Sequence, residues 1–407
     1  MKLDKKGYVQ LREAAGAPMT IVVAGDCCPR SPGEQLILDG QAASIVAPVK
    51  GVFEGADLKV VQFETPLTTD DTPITKSGPN LRCHPGTVEI VKALGIDVAL
   101  LANNHIGDFG TKPVLDTMDI LQQNSIKTVG AGKNIEDAYE PLICKAGGLT
   151  VGILNVAENE FGSAGPSKPG AAPLNPCLNI RQIMHLSKQV DICMVITHGG
   201  NEQNPMPSPR VVDMSRAFAE AGADVVINIH THCPQGFEYF DGSLIVYSLG
   251  NFYFPWPTER NYNPGPSWTL GYVAKMMVDS KGVCGFQAIP VEFDVSGTFV
   301  KSLTEAENAA FAAYLDEISA PISDSVALQK YYEGWVANSN YCIRFTQFPY
   351  AQEDFSASAA PNPKLMALRN LLTCEAHNDL LKTYMRLVEE GRVEEAKGNL
   401  YKPYFNL

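Results

Sequence analysis

Short apolar segments bounded by glycine or polar residues recur along the first part of the chain. They lie at residues 19–28, 58–63, 98–102, 190–197, 223–229 and 243–247. Runs of this length that are rich in β-branched residues are typical of strands buried on both faces. Helical patterns lie between them, at residues 85–94, 113–121 and 209–221. Strands alternating with helices predict βαβ units and a largely parallel sheet covered on both sides.

Polar side chains follow these predicted strands at the point where each strand ends. The residues are Asp26, Glu64, Asn104, His105, His198, His230, His232 and Asn251. In open α/β sheets, the loops beyond the carboxyl ends of the strands are where ligands bind. One such residue is a weak hint, but the whole set predicts a single site.

Six of these residues offer the oxygen and imidazole atoms that divalent metal ions prefer. They are Asp26, Glu64, Asn104, His198, His230 and His232. The set suits one or two ions of Mn²⁺, Zn²⁺, Fe²⁺ or Mg²⁺. A two-metal site activates a water molecule as nucleophile and holds the group that is attacked. His105 is then free to act as general acid, with Asp108 holding its other ring nitrogen and raising its pKa.

Each residue taken singly has a structural interpretation. An Asp after a strand is most often a turn or cap residue, and the same holds for Glu64 and Asn104. The His-x-His of residues 230–232 is about evenly balanced between metal binding and structure. His84 is interpreted as a loop or capping residue, and His185 and His377 as surface or packing residues. The joint pattern favours the metal site.

The polar segments resemble, in order and over about residues 19–295, those of the CapA family. That family is named for poly-γ-glutamate capsule biosynthesis and is related in fold to the calcineurin-like metallophosphoesterases. The matching segments are Gly25-Asp26, Phe63-Glu64-Thr65-Pro66-Leu67, Asn103-Asn104-His105-Ile106-Gly107-Asp108-Phe109-Gly110, His198-Gly199-Gly200-Asn201-Glu202, His230-Thr231-His232 with Pro234-Gln235-Gly236, and Ser248-Leu249-Gly250-Asn251-Phe252. The resemblance implies a metallophosphoesterase-like α/β/β/α sandwich, with the six residues above in the ligand positions.

The chain departs from the pattern of this family at four positions. Gln62 stands where the family usually has Asn, Gly199 where it has an aromatic residue, and Asn228 where it has Gly. Cys28 replaces the His of the Asp-x-His motif in calcineurin-like enzymes, so that one metal is weakly held or absent. Cys28 either ligates a softer ion as thiolate or is a small buried hydrophobic residue, and the second interpretation is favoured.

Composition narrows the class of protein. The net charge of −13 and the pI of about 5.1 disfavour nucleic-acid binding, which needs a cationic face. The first residues contain no apolar signal segment, and no apolar run reaches the ~18 residues of a membrane span. The ten cysteines show no Cys-x-x-Cys spacing, which favours reduced thiols. We therefore expect a soluble cytoplasmic protein without membrane contact.

Long loops rich in Pro, Gly, Ser and Asn are predicted at residues 68–83 and 158–176, and such loops are often lids or binding walls. Lys76 and Arg82 in the first could bind a small anionic substrate, or be solvated surface residues. Residues 255–268 form either a further wall or core packing. Asn103, Glu202 and Asn251 are also expected to contact substrate.

The pattern changes after about residue 300, where helices are predicted at 303–318, 325–337, 364–381 and 380–396, with a linker at 349–363. We predict a catalytic domain over residues 1–300 and a C-terminal helical region over 301–407. The helices would pack on the sandwich or form a homo-oligomer contact.

The leading hypothesis is a metal-dependent hydrolase that cleaves a phosphoester or a γ-glutamyl or lactam amide of a small anionic substrate. The alternative is a non-hydrolytic accessory or binding protein for the biosynthesis of an acidic polymer such as polyglutamate. Fold does not determine the reaction. His105 with Asp108 favours the enzyme, because a binding site needs no positioned acid.

Overall fold

The computed structural model describes residues 2–257, 265, 267–339, 362–401 and 403–405. Residues 258–264 of the predicted wall, and residues 349–361 of the predicted linker, lie outside these ranges. Two β-sheets and their covering helices make up most of the described chain.

The first sheet has nine strands of mixed direction. Its strands are β1 (Tyr8–Gln10), β2 (Met19–Cys27), β3 (Leu58–Phe63), β4 (Val98–Leu100), β5 (Lys127–Val129), β14 (Asn251–Tyr253), β15 (Leu270–Asp279), β16 (Gly282–Phe293) and β17 (Val300–Ser302). Strands β2 to β5 are parallel neighbours. The long hairpin of β15 and β16 pairs antiparallel with β2.

The second sheet has six strands in the order β12-β13-β11-β10-β8-β7. These strands are β7 (Leu142–Ala146), β8 (Leu149–Ala157), β10 (Ile192–His198), β11 (Val225–Ile229), β12 (Phe237–Phe240) and β13 (Ser243–Val246). Strands β8, β10, β11 and β13 are parallel, and an antiparallel strand lies at each edge. A two-stranded sheet of β6 (Ala131–Gly132) and β9 (Gly170–Ala171) completes the set.

Helices pack against both sheets and, in the C-terminal part of the chain, also against one another. They are α1 (Gly33–Leu36), α2 (Ala42–Val46), α3 (Lys50–Phe53), α4 (Glu89–Leu94), α5 (Thr111–Gln123), α6 (Ile135–Ala138), α7 (Pro176–Leu186), α8 (Pro209–Glu220), α9 (Glu305–Ser319), α10 (Ser325–Asn338), α11 (Pro363–Thr373), α12 (Glu375–Glu389) and α13 (Val393–Lys397). Short 3₁₀ segments lie at Pro85–Val88 and Ala320–Ser323, and a π-helical segment at Ile37–Gln41.

Strand β2 shows why the layers form. Its side chains alternate in direction, as in any strand. Ile21 and Val23 join the core between the two sheets, whereas the intervening Val22 packs with the helices on the other face. Because both faces are apolar, both must be covered. The result is the predicted α/β/β/α sandwich.

The apolar pattern alone predicted one largely parallel sheet, and the strands that it predicted are parallel to one another, but they do not lie in one sheet. There are two sheets, and each is mixed in direction. The difference arises mainly from the β15–β16 hairpin, which the apolar pattern did not predict. Its strands carry polar and small residues such as Lys275, Gln287 and Gly285 among the apolar ones.

The chain after residue 304 is helical wherever the structure describes it, apart from short connections and the last residues. Helix α9 buries Phe311 and Leu315 in the same core as the sheets. Helices α10 and α12 meet through Tyr332, Val336 and Leu380. The division into domains 1–300 and 301–407 stays a prediction. Among the described helices, none is both long and apolar enough to cross a membrane.

Candidate metal centre

The predicted ligands of both sheets meet at one edge of the sandwich. Asp26 lies at the end of β2 and Glu64 directly after β3, while His198 ends β10. His230 and His232 follow β11. All of them are buried. The carboxyl ends of parallel strands from two sheets therefore converge on a single cluster.

Glu64 and Asp26 lie among the imidazole rings. Glu64 Oε1 is 3.5 Å from His198 Nε2 and 3.9 Å from His232 Nε2. Asp26 lies 3.7 Å from His198 Nδ1 and 3.4 Å from His232 Nδ1. Asn104 Oδ1 is 3.1 Å from His198 Nε2. His230 Nδ1 lies 3.1 Å from the same His198 Nε2, so six potential ligands surround one small volume.

Three sets of side chains in this volume could each hold an ion. They are Glu64, His198 and His230; Asp26, Glu64 and His232; and Glu202, His230 and His232, each with ligand atoms within 4.8 Å of one another. Glu202 was predicted to contact substrate, and its place beside two ligands makes it a further candidate ligand.

The cluster has the chemistry of a cation site. Asp26 Oδ1, both Glu64 oxygens and His198 Nδ1 are buried and have no hydrogen-bond partner among the described residues. Burial, and next the Asp26 carboxylate, raise the pKa of Glu64 well above its ordinary value. Burial and neighbouring histidines lower the pKa of His198 and His230. A divalent cation would satisfy the unpartnered atoms and offset the cost of burying the charge, so the residues fit the metal that the sequence predicts.

The backbone of the His-x-His turn is strained. His230 has a φ of 106° and His232 a φ of 54°, both in the region that side chains other than glycine rarely adopt. Such conformations cost on the order of 1–3 kcal/mol each and cluster at functional sites. With these backbone conformations, both imidazole rings lie in the cluster.

His105 stands at the rim of the cluster and contacts Asp108 as predicted. Its Nδ1 lies 2.6 Å from Asp108 Oδ2, and its Nε2 lies 4.0 Å from Glu64 Oε1. Lys76 donates to Asp108 and also lies 3.3 Å from His105 Nδ1. Burial and the Lys76 charge lower the pKa of His105, and they outweigh the opposing effect of Asp108. Asp108 does raise the pKa of His105, as expected, but the net direction is downward.

The predicted substrate contacts divide into three groups. Lys76 and Glu202 line the cavity above the cluster. Asn103 is buried, and its Oδ1 accepts from the His105 amide. Asn251 is buried, and its Oδ1 lies 2.9 Å from His232 Nδ1. Both therefore position residues of the site. Arg82 lies outside the cavity and donates to the Thr69 and Asp70 carbonyls.

Local contacts account for the four departures from the family pattern. Gln62 Nε2 donates to the Leu100 and Ala102 carbonyls. Asn228 Nδ2 donates to the Gly199 carbonyl at 2.8 Å. Cys28 is buried in the apolar core, where burial raises its pKa well above the ordinary value.

Gly199 leaves room for Glu158. A Cβ at position 199 would lie 2.5 Å from Glu158 Cγ. The Glu158 carboxylate accepts from Gly200, from Arg210 at 2.5 Å and from the Ala376 amide at 3.0 Å. It thereby ties the loop after His198 to helix α12.

The cavity above the cluster has a volume of about 590 Å³ and includes residues that the sequence analysis missed. Glu160, Trp335 and Asn370 are among them, and so is His377, which was interpreted as a surface or packing residue. Glu160 follows strand β8, so the pattern of an apolar run ending in polar residues could have identified it. The others come from C-terminal helices whose position no local pattern reveals.

Comparison with known proteins identifies a matching family and several similar proteins. The profile described as Bacterial capsule synthesis protein PGA_cap matches residues 20–255. The PGA biosynthesis protein CapA of Bacillus subtilis (strain 168) is 31% identical over 227 residues, which is 54% of this chain and 60% of that protein. The Capsule biosynthesis protein CapA of Bacillus anthracis is 32% identical over 215 residues, 51% of this chain and 52% of that protein.

A Mycobacterium tuberculosis relative named as a probable polyglutamine synthesis accessory protein is 28% identical over 208 residues, 48% of this chain and 55% of that protein. The chain thus spans about half to three fifths of the length of these relatives. Among solved structures, a novel phosphatase of Mycoplasma pneumoniae aligns with a TM-score of 0.44 and 16% identity, over 68% of this chain and 94% of that one.

Proposed function

The chain belongs to the bacterial capsule synthesis protein (PGA_cap) family, the CapA family that its motifs resemble, and we propose that it is a metal-dependent hydrolase. Its metal-activated water would attack a phosphoester or a γ-glutamyl or lactam amide. Asp26, Glu64, His198, His230 and His232, with Asn104 beside them, would hold one or two ions of Mn, Zn, Fe or Mg.

The observation that supports this proposal is a cluster of unpartnered ligands with a positioned imidazole beside it. The unpartnered atoms of Asp26, Glu64 and His198 favour bound cations. His105 lies at the rim with its Nδ1 on Asp108 and its Nε2 toward the cluster. A site that only binds a ligand would not need this pair.

The chain's own residues have distinct parts in the reaction. When bound, the metal supplies an activated water and positive charge for the attacked group. Asp108 keeps a proton on His105 Nδ1, so Nε2 is the atom that exchanges a proton with the leaving group. Lys76 holds Asp108 from the other side. Asn103 fixes the His105 backbone and Asn251 fixes the His232 ring.

A side-by-side hydrolysis assay tests the proposal. The protein loaded with Mn²⁺ or Zn²⁺ would be assayed with p-nitrophenyl phosphate, bis(p-nitrophenyl) phosphate and γ-glutamyl p-nitroanilide. We expect metal-dependent turnover of at least one substrate, lost in Glu64→Gln and retained in His185→Ala, whose histidine is exposed on α7. Turnover that chelator and Glu64→Gln leave unchanged would refute the proposal.

The second candidate is a non-hydrolytic accessory protein, supported by the accessory role in the name of the M. tuberculosis relative. This candidate predicts metal-dependent binding of poly-γ-glutamate without cleavage of any substrate. Equilibrium binding of a labelled polyglutamate, measured beside the hydrolysis assay, separates the two functions.

A further inference from the structure

Aromatic rings form one side of the cavity, directly beside the metal ligands. We define this aromatic wall as Phe254, Trp256 and Trp268. The ring centroid of Trp268 lies 4.8 Å from that of His232, and the ring of Phe254 lies 5.4 Å from it. Within the wall, Trp268 lies 4.9 Å from Phe254 and 5.4 Å from Trp256. A substrate group bound beside His232 would therefore lie close to the aromatic wall.

Hydrogen bonds fix this wall in place. Trp268 Nε1 donates to the Phe254 carbonyl at 3.0 Å. Asn251 Nδ2 donates to the Trp268 carbonyl at 2.9 Å, and the same Asn251 bonds His232 through its Oδ1. Arg30 stacks on Trp256 with 4.5 Å to the ring centroid. A wall that is already ordered contributes apolar contact without a further entropic cost on binding.

The C-terminal helices supply further apolar lining. Trp335 of α10, Ala367 of α11 and Leu380 of α12 line the same cavity. All three lie beyond residues 20–255, the part of the chain that the family profile matches.

The charges of the cavity do not favour a second anionic group on the substrate. Of the lining residues within the described ranges, Lys76 is the only lysine or arginine, and it is paired with Asp108. Glu202 lies beside His230 and His232. Burial raises the pKa of Glu160 to about 8, so this carboxyl is largely protonated at neutral pH.

From this lining we infer that the substrate carries a bulky uncharged group, aromatic or aliphatic, next to the phosphoryl or acyl group that is attacked. The inference rests on the proposed function for the place of that group at the metal cluster. It narrows the proposed substrates to those without a charged group beyond the one that is attacked, and so disfavours γ-glutamyl compounds, which carry a free α-carboxylate. A phenyl in place of a methyl at this position should improve affinity about 10- to 100-fold.

Two matched pairs of compounds test the inference. Phenylphosphonate and methylphosphonate carry the same charged group, and their affinities for the Mn²⁺-loaded protein would be measured by calorimetry. The p-nitrophenyl esters of the same two phosphonates share one leaving group, so the ratio of their kcat/KM values, divided by the ratio of their uncatalysed hydrolysis rates, reports on the apolar contacts. We expect the phenyl compound to be favoured at least tenfold in both measurements.

Substitutions at Trp335 locate the preference. Trp335→Ala should reduce the phenyl-to-methyl ratio at least threefold, whereas Trp335→Phe should retain most of it. Tyr331→Ala is the matched control, because Tyr331 lies on the same helix but stacks on Tyr401 and does not line the cavity. Metal content and the melting temperature would be measured for each variant, so that a loss of fold is recognised.

The binding assay separates the failure of this inference from that of the proposed function. Tighter binding of phenylphosphonate without any turnover would support the apolar site and contradict the hydrolase. Turnover with equal affinity for the two phosphonates would support the hydrolase and overturn the inference. Binding of neither phosphonate would also overturn it, as would an unchanged ratio in Trp335→Ala.

Discussion

Replacing Glu158 by glutamine is expected to loosen helix α12 from the sandwich. Glu158 is buried, and its two oxygens accept from Gly200, Arg210, Cys374 and the Ala376 amide. Glutamine has nearly the same shape but offers one oxygen and one NH₂ group. Whichever way the amide turns, its NH₂ faces a donor, and Arg210 loses its close charged partner.

The size of the effect follows from these contacts. Breaking a fully buried ion pair costs about 3–5 kcal/mol, and leaving a buried donor unsatisfied costs about 1–3 kcal/mol. Arg210 is 24% exposed and retains Asp379 at 3.9 Å, which reduces the loss. We expect a cost of about 2–4 kcal/mol, which corresponds to a roughly 30- to 900-fold shift in the opening equilibrium of the contact.

Hydrogen–deuterium exchange measures this opening directly. The Ala376 amide and its neighbours in the first turn of α12 should exchange faster in Glu158→Gln by a factor in that range. Glu394→Gln is the control, because Glu394 is 84% exposed and its ion pair among the described residues is with Lys397 at the surface. Unchanged exchange around Ala376 in Glu158→Gln would show that Glu158 does not hold the helix.

Further predictions concern His105 and Asp279. His105→Ala should retain metal yet lower turnover about 10²- to 10⁴-fold for alkyl esters or amides, and much less for p-nitrophenyl esters. Asp108→Asn should show a weaker form of this selectivity. Equal losses on all substrates would refute the role of His105 as general acid. Asp279→Asn should destabilise the fold by about 1–3 kcal/mol at pH 7. The hydrogen bond from Arg12 holds the pKa of Asp279 in the folded protein below its ordinary value. The stabilisation by Asp279 is therefore present above the pKa that this residue has in the unfolded chain, and it is lost as the pH falls through the lower pKa of the folded protein. Melting temperatures of the two proteins should therefore converge below about pH 4, and a constant difference down to pH 2 would contradict the reasoning.

The parallel strands and the residues of the cluster followed from local pattern, whereas the two-sheet sandwich was implied by the resemblance to the CapA family. The apolar runs that end in Asp26 and Glu64 lie parallel in one sheet, so their ends meet at one edge of it. His198 ends a strand of the second sheet, and local pattern does not predict that the two sheet edges face one another. The hairpin of β15 and β16 did not follow, because small and polar residues interrupt its apolar alternation.

Contacts between distant parts of the chain could not be predicted in this way. The pairs formed by Glu158 with Arg210 and with Ala376 join positions far apart in sequence, and nothing local marks them as partners. The effect of Lys76 on His105 is similar, because it depends on where a long loop folds back. The contact with Ala376 depends on the packing of helix α12, and a single sequence carries no pattern for it.

Metal content of the purified protein tests the central claim most directly. Elemental analysis by mass spectrometry should find one or two ions of Mn, Fe or Zn per chain. If the purified protein lacks metal, it should take up added Mn²⁺ or Zn²⁺ stoichiometrically, and its melting temperature should rise. Glu64→Gln, His198→Ala and His230→Ala should lose most of this metal while remaining folded, and His185→Ala should retain it. A wild-type protein that holds no metal and gains no thermal stability from added Mn²⁺ or Zn²⁺ would contradict the account, and so would full occupancy in all three ligand variants.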